Sequence, residues 1–205
     1  MIVAMEARHV PAVVGIHLAS FPNDFITRLG RRYLAEVFYP GFIGAPQGVG
    51  LVWEQEGVQG FVVGSTNYKR FYRAVVGRQR LRLLAALAGE VLRHPRHLLR
   101  VLAVSRLVLG GPRPPFEGDL AYIAAAPQTQ GRGIGKALVA EFLRRLEAAG
   151  ASGCWTKTRE ENRAARALYE RGGFRVHERF YSDGGWWLLY GCPLGAAARE
   201  DSLAG

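Results

Sequence analysis

The chain has 205 residues, of which 49% are apolar and 21% are charged, a composition that fits a folded globular protein and excludes a disordered or fibrous chain. This length suits one domain with a substantial core. Five histidines and two cysteines show no metal-ligand spacing, and arginines interrupt every long apolar run, so neither a metal site nor a membrane span is predicted.

The start of the chain lacks the basic, apolar and small-residue pattern of a secretory signal, so we expect a cytoplasmic protein. Cys154 and Cys192 lie in apolar, strand-like runs. They are predicted to be buried thiols in a reducing compartment, without a disulfide.

The first third of the chain alternates apolar runs with turn residues. In chain order these predict a strand (2–5), a helix (11–20), a second helix capped by Asp24 or Thr27 and ending at Phe38, and a hairpin (49–53 and 59–64) around Glu56-Gly57.

The net charge of +10 belongs to one segment, residues 67–115. That segment has eleven basic residues and one acid, Glu90, while the rest of the chain has 16 of each sign. Apolar residues at helical spacing and a proline at position 95 predict a helical hairpin in which Arg93, Arg96 and Arg100 share one face.

A Gly-rich turn after this segment joins a predicted strand to a predicted amphipathic helix. The turn contains Gly131, Gly133 and Gly135, and such a turn at a helix N-terminus can bind phosphate through its unpaired N–H groups. Its spacing matches neither a dinucleotide fingerprint nor a nucleotide P-loop. A plain helix-capping turn is the alternative. The predicted elements from here are a strand (118–125), a helix (133–149), a strand (152–157), a helix (162–172) and a hairpin (174–181 and 186–191) turning at Asp183-Gly184-Gly185.

Two motifs together resemble the GCN5-related N-acetyltransferase (GNAT) superfamily. The first is Gln130-x-x-Gly133-x-Gly135, and the second is Asn162-x-x-Ala165-x-x-Leu168-Tyr169 followed by Gly173-Phe174. The resemblance covers residues 117–191 and, more loosely, the order of elements in 1–66. It implies an α/β fold with a mixed, splayed central β-sheet flanked by helices. The basic helical segment is then an insertion between the third and fourth strands, where the minimal family fold has only a short turn. We therefore predict one acetyltransferase domain (1–194, with 67–115 as the insertion) and a flexible tail (195–205).

The resemblance further implies acetyl-coenzyme A as co-substrate, without a metal. The end of the fourth strand pairs with the pantetheine amides, and the N–H groups of the Gly-rich turn hold the pyrophosphate, where Arg132 and Lys136 either add charge or are solvated. Asn162 either binds the pantetheine or caps its helix. The positions implied to bind the cofactor are Ile123, Ala124, Ala125, Gln130, Gly131, Arg132, Gly133, Ile134, Gly135, Lys136, Asn162 and Tyr169.

Tyr169 matches the family position that protonates the leaving group or orients a water that does so, and its alternative role is that of a core aromatic. Glu117 is the predicted general base, with Asp119 at the same strand end as the other carboxylate. Some relatives that acetylate protein N-termini carry a glutamate where this chain has Lys157, which disfavours that activity. Tyr181 resembles an acceptor-side tyrosine of those relatives, so the activity is weakened as an alternative and not excluded. The predicted acceptor-binding residues are Phe21, Phe25, Tyr181 and Trp186, with Trp187 beside them.

The function predicted from these residues is acetyl transfer, by direct attack, to a primary amine of a small anionic acceptor such as an amino sugar derivative. The alternatives are a protein N-terminal or lysine acetyltransferase, and a non-catalytic module that senses acyl-coenzyme A or binds nucleic acid. The insertion either attracts an anionic partner (a nucleotide sugar, RNA or a membrane surface) or is a solvated hairpin. The protein is expected to be a monomer or a homodimer.

Overall fold

The computed structural model describes residues 1–75, 77 and 113–195. Among these residues, seven strands form one sheet. The strands are β1 (Ile2–Ala4), β2 (Gly48–Glu54), β3 (Val58–Ser65), β4 (Gly118–Ala125), β5 (Gly153–Arg159), β6 (Arg175–Ser182) and β7 (Gly185–Pro193), in the spatial order β1-β2-β3-β4-β5-β7-β6.

Helices cover both faces of the sheet. They are α1 (Val10–Ser20), α2 (Phe25–Arg28), α3 (Arg31–Tyr33), which continues through a π-helical turn (Leu34–Phe38) into α4 (Tyr39–Gly44), α5 (Ile134–Ala148) and α6 (Arg163–Arg171). Residues 68–75 are also helical, and single 3₁₀ turns lie at Ala7–His9 and Pro127–Thr129.

The predicted second helix is interrupted in the structure. Asp24 caps α2 by accepting a hydrogen bond from the Ile26 N–H, as the sequence predicts. Gly30 then adopts a φ of +96°, a conformation that favours glycine and ends the helix. The chain resumes as α3 and stays helical to Gly44, beyond the predicted end.

The core consists of two apolar layers, one on each face of the sheet. One layer lies between the sheet and α5 and α6, and Leu138, Phe142 and Leu146 of α5 are fully buried in it. The other lies between the sheet and the helices of the first 44 residues, with Val13, Leu34 and Phe42 at its centre. The sheet is therefore the middle of three layers.

The β4–β5 pair is parallel, and all other neighbours in the sheet are antiparallel. The β6–β7 hairpin turns at Asp183 and Gly184, both with positive φ, which is the type I′ geometry that its sequence favours. The mixed, open sheet flanked by helices confirms the predicted fold class.

Cys154 and Cys192 are both free and buried, and they face each other across the β5–β7 pair. Burial raises the pKa of both thiols. The predicted basic hairpin and the tail beyond Gly195 lie outside the described residues. Within the described residues, no helix has the length and apolar character needed to cross a bilayer, and no cluster of three or more metal-binding side chains occurs.

Candidate active site

A fork between β4 and β5 is the central feature of the site. The two strands pair only at Gly118 with Cys154 and at Asp119 with Trp155. Beyond this point β4 follows β3 alone, because the β3–β4 register skips Ala121 and bends the strand. The edge of β4 that faces the gap, from Ala121 to Ala125, is therefore not paired with β5. It provides a row of backbone groups for an extended ligand.

The Thr156 side chain bridges the base of the fork. Its hydroxyl donates to the Leu120 carbonyl at 3.0 Å across the diverging strands. The Thr156 side chain also lies beside the Tyr169 phenol. Side chains of α6 and β5 and the backbone of β4 thus meet where the strands separate.

The Gly-rich turn lies at the open end of the fork, between β4 and α5. Gly131 and Gly133 both have a φ of +79°, and the space around each is open. Among the described residues, no protein acceptor pairs with the N–H groups from Gly131 to Lys136. These N–H groups and the helix N-terminus provide a positive surface for an anion.

The other glycine of the motif faces α6. A Cβ on Gly135 would make an ordinary van der Waals contact with the Leu168 side chain at 3.4 Å, so α5 and α6 are close at this position. Arg132 and Lys136 are exposed beside the turn, whereas Ile134 is buried in the core. The residues present therefore fit a ligand that combines an amide chain with a pyrophosphate, as coenzyme A does.

Tyr169 lies between α6 and the sheet and is only 6% exposed. Its ring packs against Phe174 and Tyr190, with centroids 5.6 and 5.8 Å away. Burial raises its pKa to about 12, although the neighbouring Thr156 hydroxyl works in the opposite direction. The phenol therefore keeps its proton at neutral pH, at the base of the fork.

Asn162 precedes α6 and caps it, because its side-chain oxygen accepts a hydrogen bond from the Ala165 N–H at 3.1 Å. This geometry matches the capping alternative of the sequence analysis. Contact between Asn162 and a cofactor stays a prediction.

The two carboxylates at the start of β4 have different surroundings. Glu117 is exposed and accepts a hydrogen bond from the Asn67 amide at 2.7 Å. Asp119 is 2% exposed, accepts a hydrogen bond from the Ser65 hydroxyl, and lies at the last residue pair before the fork. Burial raises the pKa of Asp119 to about 7.

Aromatic side chains cover the face of the fork that lies towards α1 and α2. Phe21 contacts Tyr122 of β4 edge to face at 5.2 Å, and Phe25 is half-buried at the start of α2. Trp187 of β7 is paired with Arg159 of β5, and the Arg159 guanidinium stacks 4.4 Å from its ring on this same face. We call this surface the acceptor face.

Tyr181 and Trp186 do not lie on the acceptor face. They contact each other at 5.4 Å and are 63% and 42% exposed. Trp186 is two residues from Leu188, which packs in the core beneath α5 and α6, so it faces the opposite side of the sheet from Trp187. The structure therefore does not bring these two predicted residues together with Phe21.

Two charged residues on the acceptor face were not among the predicted site residues. Asp24 was predicted only as a helix cap, but it also accepts a hydrogen bond from the Tyr122 phenol at 2.7 Å, across 98 positions of the chain. Lys157 extends from β5 towards Trp187, with its ammonium 5.4 Å from the ring centroid. The sequence pointed to Lys157 in one way only: some relatives that acetylate protein N-termini carry a glutamate at this position.

A buried histidine fixes the loop that carries Asp24. Thr27 donates its hydroxyl to the Phe21 carbonyl at 2.6 Å, so its oxygen accepts from Nε2–H of His17 at 2.9 Å. Nδ1 of His17 then accepts from the Tyr39 phenol at 2.6 Å. Burial lowers the pKa of His17 to about 4, so this network contains a neutral imidazole at physiological pH.

Comparisons with known proteins agree with this geometry. The profile described as Acetyltransferase (GNAT) family matches residues 11–174. Mycothiol acetyltransferase of Streptomyces coelicolor is 43% identical over 61 residues, which are 30% of this chain and 20% of that protein. The ribosomal protein bS18-alanine N-acetyltransferase of Escherichia coli is 36% identical over 76 residues, which are 37% of this chain and 47% of that protein.

The chain thus spans about a fifth of the mycothiol acetyltransferase and about half of the ribosomal-protein acetyltransferase. Among solved structures, yncA of Salmonella typhimurium, determined with its cofactor acetyl-CoA, superimposes with a TM-score of 0.59 at 13% identity, over 96% of this chain and 94% of that one. This likeness shows the shared fold. Because the family profile covers most of the chain, the chain belongs to the acetyltransferase (GNAT) family.

Proposed function

We propose that this protein transfers an acetyl group from acetyl-coenzyme A to a primary amine of a small, anionic acceptor, by direct attack of the amine. Enzymes of the GNAT family are N-acetyltransferases with acetyl-coenzyme A as co-substrate. The observation that carries the proposal is the open edge of β4, which leads directly into the free N–H groups of Gly131 to Lys136.

The backbone of Ile123, Ala124 and Ala125 would hold the pantetheine amides, and the N–H groups of the Gly-rich turn would hold the pyrophosphate. Acetyl-coenzyme A supplies the activated acyl group as a thioester. Overall, an N–C bond forms, a C–S bond breaks, and one proton passes from the amine to the thiol.

We assign the transfer of this proton to two residues of the chain. Tyr169 stays protonated at neutral pH and can donate a hydrogen bond at the base of the fork. As proton acceptor we propose Asp119 in place of Glu117. Asp119 lies at the fork, and its pKa of about 7 is close to the value that suits a general base at neutral pH. Glu117 lies two residues earlier, on the exposed side of the paired region.

The charge of Lys157 supports a small anionic acceptor. A lysine in place of the glutamate found in relatives that acetylate protein N-termini disfavours an approaching peptide ammonium by like-charge repulsion. The names of the two curated relatives point to different acceptors, mycothiol and a ribosomal protein. Because the relative from Escherichia coli is named for a ribosomal-protein acceptor, peptide N-termini are the other acceptor class to test.

The test measures coenzyme A release from acetyl-coenzyme A with two acceptor panels. One panel holds small amines with and without an anionic group, and the other holds peptides with free N-termini and lysines. We expect turnover with the anionic small amines. Turnover restricted to the peptides would replace the proposed acceptor, and no release in either panel, together with no binding of acetyl-coenzyme A, would refute the proposed function.

A further inference from the structure

Lys157 has a charge that nothing among the described residues neutralises. No described carboxylate lies within ion-pair distance of its ammonium, which lies 5.4 Å from the centroid of the Trp187 ring. The neighbouring cation on the same face of β5, Arg159, is already engaged. It donates to the Asp183 carbonyl at 2.8 Å and pairs with the Asp183 carboxylate at 3.5 Å. Among the described residues of this face, Lys157 is therefore a cation that is available to a ligand.

Lys157 also lies where a ligand would be held. Its side chain reaches solvent, yet surrounding protein lowers the pKa of its ammonium by desolvation. An exposed ammonium that is partly desolvated and has no counter-ion among the described residues gains from an anion that binds beside it.

Asp24 provides the opposite charge on the same face. One of its oxygens, Oδ1, accepts from both the Tyr122 phenol and the Ile26 N–H. Its second oxygen has no hydrogen-bond partner among the described residues. The His17 network holds the loop, so this free oxygen is presented in a fixed position.

Asp24 and Lys157 lie near each other without forming an ion pair. The negative charge of Asp24 raises the pKa of Lys157 and partly offsets the effect of desolvation. The two side chains form no salt bridge, so their charged atoms are more than 4 Å apart. Asp24 is anchored to β4 through Tyr122, and Lys157 belongs to β5. Neither charge has an ion-pair partner among the described residues, and the two lie on opposite sides of the fork.

We propose that Asp24 and Lys157 bind the two ends of a zwitterionic acceptor, so that the substrate class is the free α-amino acid. Asp24 accepts an N–H hydrogen bond from the amine, which the amine retains after losing its proton, and Lys157 binds the α-carboxylate. One lysine is a single point charge that balances a singly charged carboxylate, whereas the larger charge and additional oxygens of a phosphate are better matched by several donors. The aromatic rings of Phe21, Tyr122 and Trp187 are available for the side chain. This inference rests on the proposed function and specifies its acceptor.

The experiment compares matched acceptors that differ only in the anionic group. L-Alanine and L-phenylalanine are tested beside their amides, the corresponding decarboxylated amines and phosphoethanolamine. We expect kcat/KM for the free amino acids to exceed that for the amides by about 10-fold or more, as a hydrogen bond to a charged group contributes about 1.5–3 kcal/mol.

Lys157→Gln should raise KM for the free amino acids by about 10-fold to 100-fold, leave kcat nearly unchanged, and leave the amides unaffected. Lys157→Glu should reverse the preference between acid and amide. Asp24→Asn keeps the helix cap and should raise KM for acid and amide alike. The control is Lys69→Gln, which removes another lysine close to an aromatic ring, 5.7 Å from Tyr68, and should leave every ratio unchanged.

Calorimetric titration of L-phenylalanine into the protein saturated with coenzyme A separates the two hypotheses. Binding that weakens in Lys157→Gln, without turnover of any amine, would uphold the inference and refute the proposed function. Turnover of amines with no preference for the carboxylate, a ratio that Lys157→Gln does not change, or a preference for phosphoethanolamine or amidated peptides would overturn the inference. Absence of both binding and turnover would overturn it as well.

Discussion

Tyr169 is the side chain for which packing and chemistry are hardest to separate, because it is buried among aromatic rings and also reaches the fork. Tyr169→Phe keeps the ring and removes only the phenol. We expect kcat to fall by about 10²-fold to 10⁴-fold, the usual contribution of a positioned proton donor, with the dissociation constant of acetyl-coenzyme A unchanged. Steady-state kinetics and calorimetry measure the two quantities.

The matched control for this variant is Tyr190→Phe. Tyr190 belongs to the same aromatic cluster, but its phenol donates to Glu170 at 2.9 Å on the side away from the fork. It should retain most of the activity. If the two variants lose equal activity, the role of Tyr169 is packing alone.

The choice between Asp119 and Glu117 is tested by removing each charge in turn. Asp119→Asn should lower kcat/KM by about 10²-fold to 10⁴-fold and should abolish the rise in rate around pH 7, because the proton acceptor is lost. Glu117→Gln should leave both nearly unchanged, since the Glu117 side chain is exposed. A loss of activity in Glu117→Gln with a normal pH profile in Asp119→Asn would restore Glu117 as the base.

The same aspartate carries a stability prediction. Its pKa rises from 3.8 in the unfolded chain to about 7 in the fold, so between these values the folded state binds more protons than the unfolded state. The free energy of unfolding therefore falls as pH rises from about 4 to 7, by on the order of 4 kcal/mol for this group.

Asp119→Asn removes that loss, so its gain in stability over the wild type should be small near pH 4 and grow to a few kcal/mol at pH 8. Urea unfolding at both values measures it. A gain that does not vary with pH would show that the carboxyl does not titrate in this range. The expected combination of lower activity and higher stability is typical of a strained functional group.

At the scale of elements, the turn between β4 and α5 depends on backbone conformation more than on side chains. Gly133→Ala places a Cβ on a residue with a φ of +79°, where the surrounding space is open, so the cost is conformational. We expect a loss of about 1 kcal/mol in the free energy of unfolding, and weaker binding of acetyl-coenzyme A because the turn relaxes. Thermal unfolding and calorimetry provide the readouts.

Gly15→Ala is the control for the same chemical change. Gly15 lies within α1, and nothing approaches the position of its Cβ within 4 Å. Alanine there should stabilise the protein by about 0.5–1 kcal/mol and leave cofactor binding unaltered. Equal effects at the two positions would contradict a conformational origin.

The elements that the sequence predicted well are those with strong local signals. The helix predicted over 133–149 is found at Ile134–Ala148, because an amphipathic period and a Gly-rich start define it locally. The features it did not predict arise from long-range contacts: the bulge at Ala121, the burial of Asp119 by Ser65, and the bond from Tyr122 to Asp24. Strand alternation alone could have separated Trp186 from Trp187, since adjacent residues of a strand face opposite sides.

At the scale of the whole molecule, the fork is the part of the central sheet with the fewest strand–strand hydrogen bonds. β5 pairs with β4 at only two positions, yet it pairs along its whole length with β7. The hydrogen bond from the Thr156 hydroxyl to the Leu120 carbonyl joins β5 to β4 across this weak seam, and Tyr169 of α6 lies beside Thr156. A ligand that fills the gap should therefore stabilise the sheet as a unit, because it replaces the missing strand contacts.

The rate at which Cys154 and Cys192 are alkylated measures how often the folded sheet opens, because both side chains are buried in the core. Both thiols are buried with raised pKa values, and alkylation requires an exposed thiolate, so the native protein should react with iodoacetamide only when it unfolds. A ligand that binds only the folded state lowers the unfolded population by a factor of 1 + [L]/Kd. Acetyl-coenzyme A at about 100 times its Kd should therefore slow labelling about 100-fold, as followed by mass spectrometry.

The control is labelling in denaturant, where the rates with and without acetyl-coenzyme A should coincide. If acetyl-coenzyme A binds by calorimetry but does not slow labelling, the β5–β7 core opens independently of the fork.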